Sequence, residues 1–167
     1  MTLIDDGIHL RGEVRTYVLE GDLAPTLLSD PQRLCEYLDG LEPTGLYFNT
    51  VTNVGRQAYV QRIVAETTAN IGYTGLTTSA TTPSLTLTAL TNEILRKANS
   101  VNQSYLTYTM RHVSYHSTVD WGSTGIAGIG LFDTASTGGQ MFAAASISVS
   151  KTTTQSLVTD YRVTATT

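Results

Sequence analysis

The chain has 167 residues and a mass of 18.0 kDa, the size of one domain with room for a real core. Only 14% of the residues are charged, against roughly 25% in an ordinary soluble domain, and 29 Thr with 13 Ser fill the gap, a balance that argues against coiled coil, collagen and disorder. The formal charge is −4 and the only lysines are Lys97 and Lys151, so no basic cluster marks a nucleic-acid surface.

The elements follow in chain order. Ile8, Leu10, Val14 and Val18 share one parity and predict a strand over 8–19, with a bulge at Gly12. Gly21-Asp22 breaks it. Asp30 as cap and Pro31 in the first turn predict two turns of helix carrying Leu34, Cys35 and Leu38, closed by Gly40 in the left-handed region. Leu46–Val51 reads as a second strand. Thr52 or Asn53 then caps a helix over 54–65, with Tyr59, Val60, Ile63 and Val64 on one side. Residues 67–84 read as one long Thr-rich loop, 85–90 are ambiguous, and 92–98 read as one or two helical turns. Residues 101–118 alternate as a long strand. Gly122–Gly130 is glycine-dense, and Leu131-Phe132-Asp133 leads into a hairpin turn over 135–139. Alternation resumes over 141–149 and again from Leu157 to Val163. The predicted fold is mainly β, an antiparallel β-sandwich or small barrel with one or two short helices and an N-terminal arm. Residues 1–45 form the acidic arm and 46–167 the body.

Nine acids against Arg11, Arg15 and Arg33 give residues 1–45 a net charge of −6; seven bases and five acids give the rest +2. This reads first as a solvated acidic face. A single cysteine, Cys35, excludes an intrachain disulfide and reads as a small buried hydrophobe. No apolar run approaches a membrane span. Met1–Asp6 lacks the basic and apolar regions of a signal peptide, so the expectation is a soluble chain made in the cytoplasm.

Four stretches carry a resemblance: Asn49-Thr-Val-Thr-Asn-Val-Gly-Arg56 at a helix start, Leu90-Thr-Asn-Glu-Ile-Leu-Arg-Lys97, Gly130-Leu-Phe-Asp133, and Gly138-Gly-Gln-Met-Phe-Ala143. Together, over about 46–167, they resemble small structural proteins of tailed bacteriophages. In that pattern an acidic residue stands where this chain has Gly128, and an arginine where it has Ala144. The two departures fall together, as the loss of one paired acid and base would. The resemblance implies a virion protein without enzymatic activity, most simply a capsid decoration (cement) protein. The alternatives are a tail, neck, baseplate or fibre component, and, from a different class, a carbohydrate-binding module.

The other residues with chemistry to offer have structural readings. His112, His116 and Asp120 stand four apart, but on a strand such residues lie roughly 13 Å from one another, too far for one metal. Gly125, Gly128 and Gly130 do not make a dinucleotide loop, and Gly122-Ser-Thr-Gly125 is not a nucleophile elbow. No catalytic residue, metal or cofactor is assigned. The expected partners are further copies of the chain, as a trimer, and the major capsid protein or tail proteins, without nucleic acid or membrane. The attachment residues predicted are Val14, Thr16 and Val18, which would add to a neighbour's sheet edge, Leu34 and Leu38 on the short helix, and Trp121.

Overall fold

The computed structural model describes residues 9–63, 71–106, 109–136 and 138–166. Predicted positions Ile8, Val64, Ala65, 67–70, Thr107, Tyr108 and Thr137 lie outside these. The elements are β1 (His9–Glu20), α1 (Pro25–Leu28), α2 (Pro31–Asp39), β2 (Gly45–Val51), α3 (Asn53–Ile63), β3 (Tyr73–Thr77), β4 (Glu93–Ala98), β5 (Val101–Leu106), β6 (Thr109–His116), β7 (Ile126–Phe132), β8 (Met141–Val149) and β9 (Gln155–Thr166). The nine strands make one antiparallel sheet in the order β4-β3-β7-β8-β2-β1-β9-β6-β5, curled into a half-barrel. The mainly β, antiparallel character expected from the Thr-rich alternation is what the chain adopts.

The curl follows from the connectivity. β4 and β5 are the two edges of the sheet, yet only Asn99 and Ser100 separate them. Ala98 to Val101 spans three Cα steps, about 11 Å at full stretch, so the edges must meet there. Asn99 N–H donates to Gly72 O at 2.8 Å on one side, and Ser100 N–H donates to Val113 O at 2.7 Å on the other. A polar cluster locks this corner. Thr74 Oγ1 donates to Asn99 Oδ1 at 2.6 Å. The Asn102 amide, oriented by the Ile71 carbonyl 2.8 Å away, donates to His112 Nδ1 at 2.7 Å. That leaves His112 Nε2–H to donate to Tyr59 Oη at 3.0 Å.

Three apolar groups divide the core. The concave side gathers Val14, Leu76, Ile129, Ala143, Ala145, Leu157 and Tyr161. α3 stops one mouth with Ala58 and Tyr59, and Trp121 packs into the same cluster. On the convex side α1 and α2 cover Tyr17, Val113 and Val158 with Leu27, Leu34 and Leu38. Farther along that side, Leu87 and Leu90 from the 78–92 connection cover Phe132, Met141 and Ala144.

Several expectations need correction. The first described residues are not a separate arm: β1 pairs along its whole length with β9 and over five positions with β2. Gly12 makes no bulge; it leaves space for the Asn49 side chain, which would collide with a Cβ there. α2 has its Asp30 cap, accepting from Gln32 N–H and Arg33 N–H, but Gly40 is right-handed at φ −84°. The loop expected over 67–84 contains β3, and the turns expected over 92–98 are β4, because both segments are taken up by sheet pairing with β7 and with each other. The long strand over 101–118 is divided into β5 and β6. In the hairpin turn expected over 135–139, Gly138 and Gly139 have positive φ, +104° and +73°, and Met141 and Phe142 after it enter different apolar groups.

Candidate interaction face

The ionisable residues singled out by spacing are each engaged by a neighbour. His112 belongs to the closing corner. His116 Nε2 lies 2.9 Å from Ser114 Oγ, which lies 2.7 Å from Thr159 Oγ1. The three side chains are fully buried, and Nδ1 of His116 has no hydrogen-bond partner. Burial, aided by the Lys97 and Lys151 charges, drives the His116 pKa down to about 3. This Ser–His pair therefore holds a neutral imidazole, a poor base at ordinary pH. Asp120 accepts from Lys97 Nζ at 2.6 Å and from Ser117 N–H at 2.5 Å. Among the described residues no group of three or more His, Cys, Asp or Glu is placed to hold a metal.

A second charged cluster joins α2 to the sheet. Arg111 sends Nε and Nη2 to the two oxygens of Asp160 at 2.9 and 2.8 Å, a bidentate fork, and Nη1 to Asp39 at 3.1 Å. Arg162 bridges the same two carboxylates at 2.7 Å each. Burial works against the Arg111 charge, but Asp160 more than offsets it and the pKa is raised. Asp39 is the last residue of α2, so this network fixes the helix end on β6 and β9.

The six predicted attachment residues are all used inside the chain. Val14 is fully buried in the concave core, with Val18 packed beside it, and Thr16 is buried too. Both edges of β1 are already paired, so these residues are not available to extend a neighbour's sheet. Leu34 and Leu38 are fully buried on the side of α2 that packs against Tyr17, Val113 and Val158. Trp121 sits edge-on to His116, with Lys151 Nζ 4.7 Å from its ring centroid and its own Nε1–H donating to Thr124 O at 3.2 Å. It anchors a loop that Lys151 also grips through the Thr118 and Trp121 carbonyls at 3.0 and 2.9 Å. On the other side of that loop, Asp22 accepts from Thr118 N–H and Tyr115 Oη, each at 2.7 Å; burial and this carboxylate push the Tyr115 pKa up to about 12.

Besides scattered exposed apolar residues such as Val119, one continuous stretch stays bare among the described residues, the convex face between the two covers, along β1, β2 and β8. Leu46 is 52% exposed and Phe48 59% exposed, successive outward residues of β2. Beside them on β8 stand exposed Ser146 and Ser148. Beside them on β1 stand Glu13 and Arg15, paired with each other at 2.7 Å, and Arg11, whose guanidinium lies 5.1 Å from the Phe48 ring centroid. Strand pairing fixes the layout: Glu13 is opposite Phe48, and Arg15 is opposite Leu46. Comparison with family models, curated proteins and solved structures finds no match to this chain. The face therefore speaks through its own chemistry: two large apolar side chains, hydroxyls on one flank, and both signs of charge on the other. Leu46 and Phe48 share a parity legible in the sequence, but that their side of the strand is the uncovered one depends on where α1, α2 and the 78–92 connection settle.

Proposed function

We propose that this protein is a non-enzymatic structural component of a tailed-phage particle, most simply a capsid decoration protein that acts by binding protein surfaces. The observation that carries the reading is the bare Leu46–Phe48 face on a chain whose buried histidines and ion pairs tie its own elements together. Exposed apolar side chains rimmed by polar groups mark protein contacts. The particle assignment rests on the four stretches that resemble phage structural proteins, and their packing supports reading them as one scaffold. Thr52 Oγ1 donates to Met141 O at 2.7 Å, and Gly55 lies directly against the Phe142 carbonyl. Arg96 is paired with Glu93 at 2.6 Å and stacks 3.5 Å from the Phe132 ring centroid. Its Nη1 also donates to Ser136 O at 2.6 Å and Gly138 O at 2.9 Å. The test is binding of the purified chain to particles of its phage from which the gene has been deleted. Saturable binding over the capsid supports decoration, binding confined to the tail moves the protein there, and no binding refutes the proposal.

A further inference from the structure

We propose that the bare face binds a second copy of the same chain, β2 over β2 in opposite directions, about a two-fold axis. The inference concerns the same face as the particle reading and stands whether or not the chain binds a phage; in the dimer this face is covered, and attachment to a particle falls to the surfaces that stay outside.

The outward couples next to the Val14–Tyr47 row are balanced in charge and polarity; Arg11 lies beyond them, against Phe48. Val14 of β1 pairs with Tyr47 of β2. β8 pairs with β2 as far as Asn49–Ala145, and beyond that pair Tyr47 Oη reaches across to donate to Ser148 O at 2.5 Å. The outward residues of β1 and β2 flank this row evenly, Glu13 and Arg15 beside Phe48 and Leu46, and exposed Ser146 and Ser148 continue the face on β8. A two-fold axis along the row exchanges the members of each couple. Leu46 then faces the partner's Phe48, and Ser146 faces the partner's Ser148. Glu13 faces the partner's Arg15, while Arg15 faces the partner's Glu13. Every opposed couple is apolar on apolar, hydroxyl on hydroxyl, or acid on base. Such a patch is its own complement, which is the requirement of an isologous interface. Moving the axis by a single residue along the strand would oppose Glu13 to Glu13, or Arg15 to Arg15, so the charges disfavour the adjacent registers. The trimer expected from the sequence is replaced in this proposal by a pair, because a face that complements itself closes at two.

Sedimentation equilibrium of the full chain tests this. The wild type should run at twice 18.0 kDa, and Phe48→Asp at the single-chain mass. Glu13→Arg alone and Arg15→Glu alone should each run as monomers, since each opposes like charges across the axis. Mixed together, those two variants should form a heterodimer, because two arginines on the β1 flank of one then meet two glutamates on the β1 flank of the other. The intrachain pair stays broken in both, so recovery on mixing reports only the contact between chains, and it also shows that both variants are folded. A wild type that stays monomeric at high concentration, a dimer that survives Phe48→Asp, or charge variants that fail to combine would each overturn the proposal.

Discussion

His116 illustrates how burial decides the role of a residue that spacing alone leaves open. The sequence shows a histidine four residues from another and four from an aspartate; it does not show that Ser114 and Trp121 enclose the ring. The consequence is a pH dependence with a definite sign. The folded pKa of about 3 lies below the ordinary value of 6.5, so between those values the unfolded chain binds the extra proton. Stability from this group is present above pH 6.5 and is lost as the pH falls toward 3, by about 1.4 kcal/mol per unit. Asp22 and Asp120, both held below the usual carboxylate value, lose their contributions lower in the acid range. Urea midpoints measured between pH 6.5 and 4 should therefore fall steeply for the wild type and less steeply for His116→Gln. Equal slopes for the two proteins would show that His116 is not held neutral.

At the scale of elements, the local signals that succeeded were those with a cap or a fixed turn geometry. Asp30-Pro31 starts α2, Thr52 caps α3 by accepting from Gly55 N–H at 3.1 Å, and Gly138-Gly139 turns the last hairpin. The signals that failed were those overridden by pairing partners distant in sequence. β4 looks helical from its Asn-Glu-Ile-Leu-Arg-Lys composition, yet β3 takes it into the sheet. Two changes test the packing. A methyl on Gly55 would stand 1.9 Å from the Phe142 carbonyl oxygen, so Gly55→Ala must push α3 off β8. A loss of about 1–3 kcal/mol is expected on chemical denaturation. Gly122→Ala, with no other atom within 4 Å of the added carbon, should cost far less. Removal of residues 1–20 takes away a strand paired on both sides, and the remainder should show no cooperative thermal transition. A truncated chain that still melts cooperatively would restore the reading of this segment as an arm.

For the molecule as a whole, the chemistry legible in the sequence was low charge and Thr-rich alternation, and both are satisfied by a single curled sheet. Hydroxyls serve inside it as well as outside: Thr16, Thr74 and Thr159 are fully buried. Which face would be left for contact was not legible, because it is set by two short covers that leave one stretch of the convex side open. The proposed consequence is a protein held against another surface, and the particle is where the sequence resemblance directs the search. For the proposed particle assignment, the most direct measurement is quantitative mass spectrometry of purified phage particles encoded by the genome that holds this gene. The chain should be present in the particle, in numbers comparable with the major capsid protein. Particles that lack it altogether, while infected cells contain it, would contradict its assignment to the virion.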